Sequence, residues 1–162
     1  MITVKKVGTE SIAIIQHLAN IIWTVTYSEI IEPQQLHYMM GLIYSKTSLQ
    51  KQIEKGDVFI IAYNNEKPVA FASYSAKENN PHIIKLHKIY ILPNQQGKGI
   101  GKLLINYIVE DIKPCSILQL NVNRHNNALH FYQKLGFKIT GEEDIDIGNG
   151  YFMNDYLMEL KL

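Results

Sequence analysis

Apolar residues recur every three or four positions in several segments of the chain, which is the spacing of helices with one buried face. In the first of these segments the apolar face consists of Ile12, Ile15, Leu18, Ala19 and Ile22. We expect a hydroxyl of Thr9 or Ser11 to cap this helix by accepting a hydrogen bond from a free backbone N–H group. The predicted helices are one that runs to about Tyr27, one that begins at Glu32-Pro33, one from Ser45 to Glu54, one from Gly99 or Ile100 to Ile112, and one from Asn127 to Leu135.

Runs rich in β-branched and aromatic residues occupy much of the remaining chain and are typical of strands. They cover Ile2–Val7, Val58–Tyr63, Val69–Ala76, Ile83–Leu92, Ile117–Val122, Lys138–Ile147 and Tyr151–Leu160. The turn residues 64–68 and the pair Asn149-Gly150 predict antiparallel hairpins. The strand, helix and strand between residues 83 and 122 predict a βαβ crossover with parallel pairing. We therefore predict an α+β fold with a mixed, mostly antiparallel central sheet and helices on both faces.

Length and composition indicate one globular domain over residues 1–162. The prior for chains of this length is one domain per roughly 150 residues. Hydrophobic residues make up 46% and charged residues 19%, which fits neither a disordered chain nor a coiled coil. Lysine and arginine number 16 against 15 acidic residues, so the net charge is +1. This balance gives no argument for nucleic acid or an anionic membrane as a partner.

The cysteine content and the absence of long apolar runs narrow the class of protein further. The single cysteine, Cys115, excludes an intrachain disulfide and a four-cysteine zinc site. No stretch approaches the roughly 18 consecutive apolar residues of a membrane span, and the first residues lack the apolar core of a signal peptide. We therefore expect a soluble, cytoplasmic protein without a membrane partner. Scattered histidines without ligand spacing disfavour a metal site.

A glycine-rich loop between a strand and a helix is the most informative segment. After Pro93 the chain places Gly97, Gly99 and Gly101 at every second position, and a helix follows. Glycines let a backbone approach a ligand closely, and a helix N-terminus offers free N–H groups and partial positive charge. The loop therefore suits a phosphate, although a ligand-free connection is the alternative. The spacing excludes both a Walker A loop and the Gly-x-Gly-x-x-Gly dinucleotide fingerprint.

Two motifs connect the chain with a known family. The loop Gln96-Gly97-Lys98-Gly99-Ile100-Gly101 resembles the Gln/Arg-x-x-Gly-x-Gly/Ala signature of the GNAT (GCN5-related) N-acetyltransferases. The segment from Ala128 to Phe137 is similar to that family's Ala-x-x-x-Tyr-x-x-x-Gly-Phe helix, and the element order matches over nearly the whole chain. The resemblance implies the GNAT fold, with a βαβ core that binds acyl-CoA.

The resemblance also implies an activity. It predicts direct transfer of an acetyl group from acetyl-CoA to a primary amine of a small molecule or peptide, with no metal and no covalent enzyme intermediate. Homodimers are common in the family. Two other functions stay open on the sequence: a non-catalytic acyl-CoA-binding or sensing module on the same fold, and a binder of a different phosphate ligand such as a nucleotide.

The resemblance assigns residues to the binding of acetyl-CoA. Backbone groups of the strand before the loop are expected to contact pantetheine, and the loop is expected to bind pyrophosphate. Many family members carry an asparagine seven residues before the motif tyrosine; His125 stands there, and a shifted helix start would let Asn126 serve instead. The predicted contacts are Ile89, Tyr90, Ile91, Gln96, Gly97, Lys98, Gly99, Ile100, Gly101, Lys102 and Asn126.

Catalytic and acceptor-binding roles follow in the same way. Tyr132 matches the family tyrosine that protonates the departing thiolate, and its alternative role is that of a core tyrosine. His87 occupies the position where some members carry a glutamate base, and histidine titrates near neutral pH. A histidine that only faces solvent or a helix is the alternative for His87. The residues expected to line the acceptor site are Tyr27, Tyr74, Tyr151 and Asp155.

Overall fold

The computed structural model describes residues 1–115 and 117–162. The helices are α1 (Ile12–Tyr27), α2 (Pro33–Tyr44), α3 (Lys46–Glu54), α4 (Ile100–Asp111) and α5 (Ala128–Lys134). The strands are β1 (Ile2–Val7), β2 (Val58–Asn64), β3 (Lys67–Lys77), β4 (Asn80–Ile91), β5 (Ile117–Asn123), β6 (Lys138–Gly148) and β7 (Tyr151–Lys161). Every helix and strand predicted from the sequence is present among these residues, and most bounds differ by one to three residues.

The cap expected for α1 is wrong. Ser11 occupies the N-cap position, and no side-chain hydrogen bond is made there among the described residues. A 3-10 turn over Thr9–Ser11 precedes the helix, and in it the Glu10 carboxylate accepts a hydrogen bond from the Gly8 N–H at 2.9 Å. The backbone N–H groups of Ser11 and Ile12 donate to the carbonyls of Gly8 and Thr9, so the turn satisfies the N–H of the first helical residue without a side chain.

One seven-stranded sheet organises the described chain, in the order β1-β2-β3-β4-β5-β7-β6. All neighbouring pairs are antiparallel except β4 and β5, which are parallel and are connected through α4. A parallel pair needs such a crossover because the chain must return to the same end of the sheet. The α+β class and the mixed, mostly antiparallel sheet are therefore confirmed.

Helices cover both faces of the sheet because successive strand residues point in opposite directions. On β2, Phe59 and Ile61 pack with α1, α2 and α3, whereas Ile60 packs on the other side with α4 and α5. Each face therefore has its own apolar core. None of the described helices combines the length and the apolar character that a membrane crossing requires.

A β-bulge in the middle of β4 changes which of its residues face each side of the sheet. Opposite Ser73 and Tyr74 of β3 stand Lys88 and Leu86, so His87 is an extra residue in the ladder. Such a β-bulge interrupts the alternation of side chains. Before it, Leu86 packs on the α4 side; after it, Ile89 packs there as well, although the two positions differ by three.

Strands β4 and β5 separate directly after this bulge. Their pairing covers Ile83 to Leu86 on β4 and Ile117 to Leu120 on β5, while β4 continues to Ile91. Within the described chain, the second half of β4 therefore has β3 as its one paired strand, and the Ile91 carbonyl accepts a hydrogen bond from Gln96 Nε2 at 3.3 Å. The separation opens a cleft in the sheet, with the glycine-rich loop at its end.

Candidate active site

A cavity of about 1050 Å³ extends along the cleft between β4 and β5. Its walls come from the end of α1, the second half of β4, the glycine-rich loop, the end of β5 and the start of α5. The sequence motifs lie far apart in the chain, and the crossover of α4 brings both to this one cavity. The parallel pair therefore positions the site.

The glycines of the loop serve two different purposes. Gly97 and Gly99 have φ angles of +76° and +80°, which side chains rarely adopt, and a Cβ atom on either would meet nothing within 4 Å. Gly101, inside α4, has an ordinary φ, but its Cβ would lie 2.8 Å from Phe131 Cζ. The first two glycines thus leave open space before the helix, and the third lets α4 pack closely against α5.

The start of α4 provides an anion-binding geometry. Gly99 is its N-cap in a left-handed conformation, and no side chain among the described residues caps the helix. The first N–H groups of a helix have no partner within the helix, and they carry its partial positive charge. The loop residues that border the cavity are Gln96, Gly97, Gly99, Ile100 and Gly101. This arrangement fits a pyrophosphate group without any further side chain.

Most other residues predicted to contact acetyl-CoA also border this cavity. Ile89, Tyr90 and Ile91 line it from β4, and Asn126 lines it from the segment before α5. Lys98 and Lys102 are not among its lining residues. The Lys98 ammonium donates to Gln95 Oε1 at 3.4 Å instead.

Tyr132 reaches the cavity from α5. Only 7% of the residue is exposed, and its ring packs against Phe131 and Phe137 with centroids 5.3 and 5.7 Å away. Burial raises the pKa of its hydroxyl, and the nearby Tyr27 hydroxyl acts in the same direction. The side chain is therefore held in place and stays protonated at neutral pH, as a proton donor requires.

His87, the bulged residue of β4, lines this cavity and a second one of about 560 Å³. Its Nε2 lies 2.7 Å from Ser75 Oγ and 3.7 Å from Asp57 Oδ1. The side chain is 32% exposed; its partial burial lowers the pKa of the imidazole, the Asp57 carboxylate raises it, and the Lys88 and Lys85 ammonium groups lower it. The neutral ring that results at pH 7 has one nitrogen free to accept a proton.

The second cavity lies between α2, α3, β4 and the β6–β7 hairpin. The two cavities adjoin along five side chains that border both of them. These are Tyr27, His87, Lys88, Tyr90 and Asn121. An acceptor in the second cavity would approach a thioester in the first across this boundary.

Two of the four residues predicted for the acceptor site line these cavities. Tyr27 borders both, and Asp155 borders the second. Tyr74 lies in the α4-side core, where its hydroxyl donates to Asp111 Oδ2 at 2.7 Å. Tyr151 packs against Tyr38 near the hairpin turn, with the ring centroids 5.4 Å apart and the rings tilted by 43°. The structure does not bring Tyr74 or Tyr151 to the site.

Several polar residues of the second cavity were missed by the sequence analysis. They are Gln52, Asp57, Lys85, Lys88, Asn121 and Glu143. The sequence signal for this polar cavity was the pair His87 and Lys88. Two consecutive polar residues break the alternation of apolar and polar positions that a half-buried strand shows. Within residues 1–115 and 117–162, no group of three or more His, Cys, Asp or Glu side chains is placed to hold a metal ion.

Comparison with known proteins gives a consistent picture. The family model described as "Acetyltransferase (GNAT) domain" matches residues 28–159. The L-amino acid N-acyltransferase MnaT of Escherichia coli is 26% identical over 97 residues, which are 57% of this chain and 56% of that protein. The peptidyl-lysine N-acetyltransferase YjaB of Salmonella typhimurium is 29% identical over 101 residues, 61% of this chain and 63% of that protein. The chain thus spans less than two thirds of the length of these relatives.

Solved structures match over the whole chain. The crystal structure of the PaiA N-acetyltransferase of Thermoplasma acidophilum in complex with coenzyme A superposes with a TM-score of 0.84 and 25% identity. The superposition covers 100% of this chain and 99% of that one. The chain therefore shares its fold with a protein whose crystal structure contains coenzyme A.

Proposed function

Because the chain belongs to the GNAT acetyltransferase domain family, we propose that it transfers an acetyl group directly from acetyl-CoA to a primary amine of a small molecule or peptide. One observation carries the proposal: a single cavity collects the glycine-rich loop, the open edge of β4 and the buried Tyr132. Each of these suits a different part of the reaction. Family membership also confirms the resemblance drawn from the two motifs.

The cavity suits acetyl-CoA along its length. The backbone N–H groups around Gly97 and Gly99 would hold the pyrophosphate, since both positions leave open space. The edge of β4 at residues 89–91 faces away from β3 and has no β5 partner, so its backbone groups would pair with the pantetheine amides. Bound acetyl-CoA would supply the thioester carbonyl that the amine attacks.

Two side chains would move the protons. His87 would accept a proton from the ammonium of the acceptor, because only a neutral amine has the lone pair needed for attack. Asp57 beside Nε2 favours the tautomer that carries its proton there, which leaves Nδ1 as the acceptor. As the N–C bond forms and the C–S bond breaks, Tyr132 would protonate the departing thiolate and regain a proton from the amide nitrogen.

The names of the relatives support an amine acceptor and coenzyme A as the carrier. One relative is named for L-amino acids and another for peptidyl-lysine, and both of these are amines. The structure of a third contains coenzyme A. The relatives differ in acceptor, so the acceptor of this chain has to be inferred from its own residues.

The first test is thermal unfolding with acetyl-CoA, CoA, ATP and NAD in parallel. A ligand at 100 times its Kd adds about 2.7 kcal/mol to the free energy of unfolding. For a domain of this size we expect Tm to rise by about 5–10 °C. We expect this rise with acetyl-CoA and CoA and not with ATP or NAD.

A second measurement separates an enzyme from a binding module. Thiol release from acetyl-CoA is followed with a panel of primary amines. Release that depends on the amine supports the transferase. A rise of Tm without release for any amine identifies an acyl-CoA-binding module, and no rise with either CoA species contradicts the whole proposal.

The pH dependence of turnover tests the role of His87. The pKa of His87 lies below the usual 6.5 in the folded protein. The neutral base is therefore lost only as the pH falls through this lowered pKa. We expect kcat/KM to decrease on the acid side with this pKa. His87→Gln should lower kcat by about 100-fold or more and remove the acid-side decrease.

His82→Gln is the matched control for this variant. His82 lies on the same strand, is exposed and borders neither cavity. We expect its kcat and pH profile to match those of the unsubstituted protein. An unchanged acid-side profile in His87→Gln, with an unchanged Tm, would exclude His87 as the base.

A further inference from the structure

The second cavity contains a buried ammonium without an ionic partner. Lys88 is 8% exposed, and its Nζ donates to Gln52 Oε1 at 2.6 Å. The same Nζ lies 5.5 and 5.8 Å from the ring centroids of Phe59 and Tyr44. The Asp57 carboxylate lines the same cavity and favours the charged form of Lys88, but within residues 1–115 and 117–162 no carboxylate forms a direct ion pair with it. Gln52 borders only the second cavity, which places the ammonium on that side.

The same cavity contains a buried carboxylate with an unused oxygen. Asp155 is 2% exposed; its Oδ2 accepts from Asn121 Nδ2 at 3.4 Å, and its Oδ1 has no partner among the described residues. Lys85 borders the same cavity, but its ammonium donates to the amide oxygen of Asn121 and not to Asp155. Asn121 borders both cavities, so Asp155 lies next to the boundary where an amine would attack.

Buried charges of this kind are costly unless something neutralises them. The free-energy cost of removing an ammonium or a carboxylate from water is offset only by a close opposite charge or by several hydrogen bonds. Burial lowers the pKa of Lys88 to about 8, so the group is still mostly charged at pH 7. Burial raises the pKa of Asp155. Asp57 partly compensates Lys88, and Lys85 partly compensates Asp155, but neither forms a direct ion pair with its partner among the described residues, so each buried group can still take an oppositely charged ligand group.

We propose that the acceptor carries both an ammonium and a carboxylate, with the ammonium bound by Asp155 and the carboxylate bound by Lys88. The inference rests on the proposed transferase function and specifies its acceptor as a free amino acid or an ω-amino acid. Asp155 and Asn121 would present the amine to His87 at the boundary. Gln52 would hold Lys88 toward the carboxylate. A lysine inside a peptide lacks this carboxylate and would be a poor acceptor.

Matched acceptors test this directly. Glycine, β-alanine, γ-aminobutyrate and lysine are each compared with the corresponding carboxamide, by kcat/KM for thiol release. Hydrogen bonds to a charged group are stronger than those between neutral groups, so we expect at least one carboxylate to be preferred over its carboxamide by about 10- to 100-fold. Comparable values for every pair would overturn the proposal.

Variants assign the preference to the two residues. Lys88→Gln should bring the ratio of carboxylate to carboxamide close to one, and Lys88→Arg should keep most of it. Asp155→Asn should lower kcat/KM for both acceptors of a pair and leave their ratio unchanged. Lys51→Gln, on the exposed side of α3, is the matched control and should change nothing. An unchanged ratio in Lys88→Gln would overturn the role of Lys88.

A binding measurement keeps this inference separate from the proposed function. Isothermal titration of the same acceptor pairs into the CoA-bound protein reports binding whether or not turnover occurs. Tighter binding of the carboxylate, lost in Lys88→Gln, supports the site even if no acceptor is acetylated. Turnover of simple amines and carboxamides without a preference for carboxylates would support the transferase and contradict the two-charge site.

Discussion

Replacement of Gly99 by glutamate is expected to abolish binding of acetyl-CoA and CoA. The residue has a φ of +80°, so any side chain costs about 1–3 kcal/mol in backbone strain. The glutamate would also put a negative charge and its bulk into the open space at the start of α4, where the helix favours an anion. Isothermal titration with CoA measures the loss, and we expect no heat of binding at millimolar ligand.

Gly150→Glu is the matched control for strain. Gly150 has a φ of +79° and open space around its Cβ position, but it lies in the turn between β6 and β7. We expect this variant to lose a similar amount of stability and to bind CoA normally. CoA binding by Gly99→Glu at the normal affinity would show that the glycine-rich loop is not the pyrophosphate site.

Replacement of Tyr132 by phenylalanine is expected to lower kcat by about 100- to 10,000-fold, which is the usual contribution of a positioned general acid. The ring would still fill its place against Phe131 and Phe137, so the fold and the affinity for CoA should change little. Only the hydroxyl is lost. Initial rates of thiol release at saturating acetyl-CoA measure the effect, with CoA titration alongside.

Tyr107→Phe provides the comparison for this variant. Tyr107 lies on α4, packs against the same core from a different side and borders neither cavity. We expect its kcat to equal that of the unsubstituted protein. If Tyr132→Phe turned over as fast as Tyr107→Phe, protonation of the thiolate would have to come from another group or from water.

The fold could be predicted because its signals are local. Apolar spacing locates the helices, and the segment from residue 83 to 122 contains a whole βαβ unit, which specifies the one parallel pair. The bulge at His87 could not be predicted, since it depends on how β4 pairs with β3 across the sheet. The predicted hydroxyl cap of α1 is wrong because a 3-10 turn over Thr9–Ser11 leads directly into the helix, and neither hydroxyl makes a capping hydrogen bond there among the described residues.

The two cavities differ in how much of them the sequence indicates. The first is formed around two motifs, each a continuous stretch of sequence, and the resemblance of those motifs to the GNAT family indicates its main residues, including Gly97, Gly99 and Tyr132. The second assembles single side chains such as Gln52, Lys88 and Asp155 from separate elements. Tyr74 illustrates the difficulty: it alternates regularly with Ala70 and Ala72 onto the α4 side of β3, but the sequence does not show which face of that strand lies beside the acceptor site.

The separation of β4 from β5 also affects the mechanics of the molecule. Beyond Leu86 the sheet contains an internal free edge, and such edges usually invite pairing with other chains. Here the edge borders a cleft that is also lined by the start of α4 and by α5, so a ligand in the cleft would lie along it. A ligand paired along this edge would tie the four-stranded half of the sheet to the three-stranded half. Bound ligand would thus connect the two halves of the sheet, and the sheet would be more rigid in the ligand-bound protein than in the free one.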